Sequence, residues 1–160
     1  MMRSEAGPFG ACLRGEKNDR PGRFAGDGRE TGETMRIILV EDHKQTRDEI
    51  RALIEAQSDM SIVAEAETGE AALERVREQK PDLILMDILL PGMNGVEATR
   101  KIVAEQPLVK VLALSNHFGD SLVKAILTAG GQGYLRKSRA FEDLIPAVRS
   151  VAGGRQYIGK

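Results

Sequence analysis

Leu83-Ile84-Leu85-Met86-Asp87 is the stretch on which the fold turns. Four consecutive large apolar residues end on a carboxylate. A strand with one wet face alternates apolar and polar residues, whereas an unbroken apolar run suits a strand covered on both faces, as in a parallel sheet. Lys80-Pro81 stands just before it and closes a segment with helical spacing (Ala72, Leu73, Val76). Working outward, four similar runs occur at Ile37–Val40, Ile62–Ala66, Val109–Leu114 and Gly133–Leu135. The segments between and after them carry helical periods: Ile50, Leu53, Ile54; Val96, Ile102, Val103; Leu122, Ala125, Ile126; and Phe141, Leu144, Ile145, Val148, Val151. Ala129-Gly130-Gly131 and Gly153-Gly154 supply stop signals, and Ser138 is placed to cap the last helix. Pro146 inside that helix removes one hydrogen bond to the preceding turn. A strand–helix unit repeated five times, with right-handed crossovers, predicts a doubly wound α/β domain.

In such a sheet the ligand site lies beyond the carboxyl ends of the strands. Glu41 and Asp42 follow the first strand and Asp87 the third; Ser115, with Asn116 and His117, follows the fourth; Arg136 and Lys137 follow the fifth. Three carboxylates brought to one edge repel one another, and a hard divalent cation such as Mg²⁺ relieves that repulsion. A carboxylate beside the ion is a competent nucleophile toward a phosphoryl group, whose oxygens a lysine and a hydroxyl can also neutralise. Taken singly these residues are bland: an acid after a strand can cap a helix, and a lysine is ordinarily solvated.

Composition excludes other classes. Lys+Arg 23 against Asp+Glu 24 in 160 residues is not the basic balance of a nucleic-acid binder. Cys12 is the sole cysteine, so there is neither a disulfide framework nor a Cys-rich zinc site, and His43 and His117 are too few for most histidine metal centres. No apolar run approaches a membrane span, and a cytoplasmic domain is expected. Neither a Walker-type nor a dinucleotide-type glycine loop is present; Gly26-Asp27-Gly28 with Gly32 has the wrong spacing and no strand before it. Residues 1–34 hold seven of the 17 glycines and six charges of each sign without any period. They read as a disordered tail, or as an extension ahead of a start at Met35. Residues 35–154 read as the domain and 155–160 as the beginning of a linker.

The set Glu41-Asp42, Asp87-Ile88-Leu89-Leu90-Pro91-Gly92-Met93-Asn94-Gly95, Ser115 and Tyr134-Leu135-Arg136-Lys137 resembles the receiver domain of two-component response regulators. The resemblance covers Met35 to about Gly154. It implies the flavodoxin-like (βα)5 receiver fold, with five parallel strands in the order 2-1-3-4-5. It further implies Asp87 as phosphoacceptor and Glu41, Asp42 and Asp87 as holders of Mg²⁺, joined by the backbone carbonyl of Leu89. Ser115 and Tyr134, 19 positions apart, resemble the switch pair, and Lys137 the family's lysine. Pro91 and Gly95 resemble the residues that shape the loop and start the third helix. Leu89 and His117 stand where dephosphorylation is tuned; Leu89 is apolar and cannot orient a water, so slow self-dephosphorylation is expected.

Ser115-Asn116-His117 and Gly130 to Ser138 look like the NarL/FixJ type, in which a LuxR-like helix-turn-helix domain usually follows. Six residues follow Gly154, so a receiver alone, or the front piece of a truncated transcriptional regulator, is expected, without direct DNA binding by this chain. The implied function is a signalling module, not a metabolic enzyme. It would be phosphorylated by a histidine kinase and would alter binding of a partner of unstated identity, with homodimerisation on phosphorylation as one form. An Asp-nucleophile phosphatase is the competing enzyme class, but Asp87-Ile88-Leu89 lacks that class's second acid. A flavodoxin-like cofactor binder lacks its phosphate loop, and a receiver that is never phosphorylated would not need all five site residues.

Overall fold

The computed structural model describes residues 34–159. The expectations for the amino-terminal tail and Cys12 therefore fall, Thr34 apart, outside the described residues. Six strands form one parallel sheet: β1 (Met35–Val40), β2 (Met60–Ala66), β3 (Leu83–Asp87), β4 (Lys110–Ser115), β5 (Gly133–Arg136) and β6 (Tyr157–Gly159), in the order β2-β1-β3-β4-β5-β6. Five helices lie between them: α1 (Lys44–Glu55), α2 (Gly69–Gln79), α3 (Gly95–Glu105), α4 (Asp120–Ala129) and α5 (Ala140–Ala152). The expected 2-1-3-4-5 order is present, with β6 as an additional edge strand where a linker is expected.

The unbroken apolar runs are explained by burial on both faces. Ile37, Leu39, Leu85, Leu112 and Leu135 turn to one side, against Ile50 and Ile54 of α1 and Leu144, Val148 and Val151 of α5. Ile38, Val40, Ile84, Met86 and Val111 turn to the other, against Ala72 and Val76 of α2 and Ala98 and Ile102 of α3. Each of these buried Val, Leu, Ile and Met side chains contributes roughly 1.5–3 kcal/mol relative to exposure. A smaller cluster of Ile88, Ala113, Ile126 and Tyr134 completes the β4–β5 end, and Ile158 of β6 packs on it.

Boundary chemistry follows the sequence in most places. Lys80, with φ 45°, ends α2, and Gly130, with φ 107°, ends α4. Asn94 Oδ1 accepts from the Glu97 N–H at 2.9 Å and fixes the start of α3. Two expectations fail. Ser138 does not cap α5; it lies in a 3₁₀ turn, Lys137–Arg139, and Arg139 precedes the helix without a side-chain cap. Phe141 does not join the core stripe; it is 83% exposed, and Ala140 is the first buried residue of that helix. The tight turn sets the helix start at Ala140, and Phe141 lies on the first turn of that helix, next to the carboxyl edge of the sheet. Pro146 is accommodated within α5, which continues to Ala152.

Gly95 shows how closely α3 approaches β3. Its N–H donates to the Ile88 carbonyl at 2.8 Å. A Cβ there would collide with the Asp87 carbonyl oxygen and lie 2.7 Å from Ile88 Cα. Backbone cannot swing aside as a side chain can. Gly95→Ala is expected to lower unfolding free energy by about 1–3 kcal/mol, the range of overpacking, measured by urea denaturation; an unchanged midpoint would mean that the Asp87 loop yields freely.

Candidate functional site

Glu41 and Asp42 leave the end of β1, Asp87 ends β3, Ser115 ends β4 and Lys137 follows β5. Strand order alone therefore gathers residues nearly a hundred positions apart. Glu41 is fully buried and Asp87 is 1% exposed, whereas Asp42 is only partly covered. Lys137 Nζ reaches both buried acids, 2.7 Å from Glu41 Oε1 and 3.1 Å from Asp87 Oδ2. Asp87 Oδ1 accepts the Leu89 N–H at 3.2 Å; Leu89 thus meets Asp87 through its amide, and its side chain is exposed.

The charges do not balance within this group, because three carboxylates meet one ammonium. Burial pushes the Asp87 carboxyl up to about 6, and the charge of Glu41 adds to the rise; Lys137 and the Leu89 N–H oppose it. Glu41 Oε1 and Asp87 Oδ2 are buried against the single Lys137 ammonium, and Asp42 Oδ1 is buried 3.3 Å from His43 Nδ1. Such oxygens are costly unless something charged meets them. Glu41, Asp42 and Asp87, together with His43, offer ligand atoms all within 4.8 Å of one another. Oxygen donors of this number and charge fit a hard divalent cation.

The hydroxyl side of the site is joined through backbone. Ser115 Oγ accepts the His117 N–H at 3.1 Å, and the Tyr134 hydroxyl donates to the His117 carbonyl. Tyr134 is fully buried, with the Phe118 ring edge-on at 5.5 Å. Burial pushes its phenol pKa up, opposed by the neighbouring Ser115 hydroxyl. His117 enters this network by its main chain, and its residue is exposed.

Two participants are not singled out by the sequence pattern. Arg47, on the first turn of α1, is buried and donates from Nη1 to the Glu41 carbonyl at 2.7 Å, with Glu65 and Glu67 within 3.4 and 3.2 Å. It holds the β1–α1 turn that carries the acid pair. Its only sequence signal is an arginine amid the apolar period of α1, which reads as surface. His43 is the other: its Nδ1 lies 3.1 Å from Glu41 Oε2 and 3.3 Å from Asp42 Oδ1.

Comparisons agree with this arrangement. Residues 37–149 match the family model described as the response regulator receiver domain. Similar proteins include the transcriptional regulatory protein DegU of Brevibacillus brevis, 42% identical over 124 residues that cover 78% of this chain and 52% of that protein. Response regulator UvrY of Escherichia coli is 38% identical, covering 78% and 57%. The chain thus spans little more than half the length of these curated relatives. Among solved structures, a LuxR-family two-component response regulator from Aurantimonas sp. SI85-9A1 is similar with TM-score 0.76 at 36% identity, covering 78% of this chain and 89% of that one. The NarL signal receiver domain from Mycobacterium tuberculosis has TM-score 0.72 at 31% identity, covering 77% and 99%.

The raised Asp87 pKa has a consequence for stability. The folded state holds its proton more tightly than the unfolded chain, whose Asp ionises near 3.9. The native state is therefore disfavoured progressively as pH rises from about 4 to about 6, and that loss is complete above 6. In EDTA, Asp87→Asn is expected to be more stable than wild type at pH 7 by about 1–3 kcal/mol, with the gap closing toward pH 4. Urea titrations at both pH values measure it; a gap independent of pH contradicts the assignment.

Proposed function

Because the chain belongs to the response regulator receiver family, we propose that it accepts a phosphoryl group on Asp87 from a histidine kinase and thereby changes its affinity for a partner. The observation that carries the reading is a buried carboxylate at the end of β3 that is 3.1 Å from Lys137 and raised to about 6. An Oδ of Asp87 attacks the phosphorus of a phosphohistidine, the P–N bond breaks, and the imidazole leaves with its electron pair. An acyl phosphate remains on Asp87.

Glu41, Asp42 and Asp87, with the Leu89 carbonyl, would hold Mg²⁺, which supplies charge neutralisation of the phosphoryl oxygens. Lys137 neutralises a second oxygen, once the new bond draws it from its carboxylate contacts. Ser115 Oγ, now an acceptor for the His117 N–H, turns to donate to a phosphoryl oxygen. That turn releases the His117 main chain, on which Tyr134 rests, and biases a two-state element. The surface built by α4, β5 and α5 is the output, and a partner there includes a second copy of the chain. Ile158 packs on the cluster that contains Tyr134, so β6 belongs to the same surface. Side chains at Leu89 and His117 set the phosphate lifetime; with an apolar Leu89, self-dephosphorylation is slow. Residues 35–154 act as the receiver. Among the described residues no helix is long and apolar enough to cross a membrane, and the kinase's phosphohistidine is met in the cytoplasm.

Incubation with acetyl phosphate and Mg²⁺, followed by intact-mass spectrometry, tests this. Wild type is expected to gain one acid-stable, base-labile phosphoryl group that persists well beyond seconds, and Asp87→Ala none. Absence of the adduct in wild type, or its presence in the variant, overturns the proposal, and multiple turnover of small phosphate esters would place the chain with phosphatases instead.

A further inference from the structure

Arg47 stands on the first turn of α1, yet only 8% of it is exposed. Its guanidinium nitrogens each have a different partner. Nη1 donates to the Glu41 carbonyl at 2.7 Å, Nε lies 3.4 Å from Glu65 Oε1, and Nη2 lies 3.2 Å from Glu67 Oε2. Glu65 also meets Arg51. Two arginines thus face two glutamates, and the cluster adds little net charge to the acid pocket beside it. Arg47 acts on that pocket through position, not through its field.

What Arg47 holds is the peptide unit between Glu41 and Asp42. The Glu41 carbonyl lies in one rigid plane with the Asp42 nitrogen and Cα. Fixing that oxygen therefore fixes the backbone from which both acids leave. Neighbouring bonds reinforce the turn: the Glu41 N–H donates to the Ala66 carbonyl at 3.0 Å, and the Arg47 N–H to the His43 carbonyl at 2.9 Å. Glu41 is fully buried, and a buried carbonyl without a donor is unfavourable. Without the guanidinium, relief requires the peptide plane to rotate, and rotation carries the acid pair out of line with Asp87. Lysine is no substitute, because one nitrogen cannot meet three acceptors spread around a planar fork.

We propose that Arg47 is a positioning residue for phosphoryl transfer: through the Glu41 carbonyl it sets how tightly the Glu41–Asp42 pair holds Mg²⁺, and Glu65 and Glu67 hold Arg47 in turn. It touches neither the ion nor the phosphoryl group. Its effect falls on cation affinity and not on the chemical step, because Asp87 and Lys137 are carried by other elements. The inference rests on the proposed Mg²⁺-assisted transfer to Asp87, and its test separates the two.

The test is calorimetric titration of the full chain with Mg²⁺, as wild type, Arg47→Lys and Arg47→Met. The rate of phosphoryl gain from acetyl phosphate is followed on the same samples as Mg²⁺ is varied. Both variants are expected to bind Mg²⁺ about tenfold or more weakly, as when a residue supporting a ligand is lost. The half-saturating Mg²⁺ concentration rises by the same factor, while the rate at saturating Mg²⁺ stays within about twofold of wild type. Wild-type Mg²⁺ affinity in both variants, even with a lowered urea midpoint, makes Arg47 a fold-stabilising residue only and overturns the inference. Full rescue by lysine overturns it as well, because charge alone would then suffice. If neither Arg47 variant folds, Glu67→Gln decides. Glu67 is 65% exposed, and losing this anchor is expected to weaken Mg²⁺ about threefold; unchanged affinity overturns the inference. A wild type that neither binds Mg²⁺ nor gains a phosphoryl group refutes the reading of the site itself, and the inference with it.

Discussion

One ammonium group set between two buried carboxylates is the constraint on which the rest of this site depends. Glu41 and Asp87 are almost wholly removed from water, and Lys137 is the lysine that reaches both. A buried ion pair gains little overall against its desolvation, but removing one partner leaves the other charge uncompensated. Here the pair is already one cation short. Burial and then the charge of Glu41 raise the Asp87 pKa, and the excess negative charge creates the demand for a second cation. Instability in the resting state and the proposed reactivity toward a phosphoryl group have the same origin.

The scaffold meets that demand by keeping the acids where they are. Two apolar layers hold β1 and β3 side by side, Arg47 fixes the turn after β1, and Gly95 lets α3 close on the Asp87 backbone. The parts proposed to respond lie on the other side, joined by directional contacts: a serine hydroxyl, one stretch of main chain at His117 and a buried tyrosine. Tyr134 shares its cluster with Ile158, so the change proposed to begin at Ser115 would have a packed route to the last strand.

The architecture was legible because the apolar runs leave few alternatives. A stretch such as Leu83–Met86, unbroken and followed by an acid, fits a strand covered on both faces, and strand ends then locate Asp87, Ser115 and Lys137 without any long-range information. Other features needed tertiary contact. Arg47 looks like a surface arginine until its carbonyl partner six positions back is known. His43 sits one residue past the acid pair, and its ring direction is not encoded in that spacing. Ser138 misleads because a 3₁₀ turn after β5 shifts the start of α5, whereas Phe141 keeps the apolar period but stands on the first turn of that helix and stays exposed. The three-residue strand β6 is too short to show a period, and its pairing with β5 provides its stability.

Stability of Lys137→Met, measured by urea denaturation at pH 7 in EDTA and again with millimolar Mg²⁺, bears most directly on the central constraint. If the ammonium holds the buried acids together, the variant loses about 3–5 kcal/mol in EDTA, the range for breaking a buried pair, and Mg²⁺ restores a larger part of its stability than it adds to wild type. A variant as stable as wild type in EDTA, or one indifferent to Mg²⁺, would contradict the claim that a shortage of positive charge governs this site.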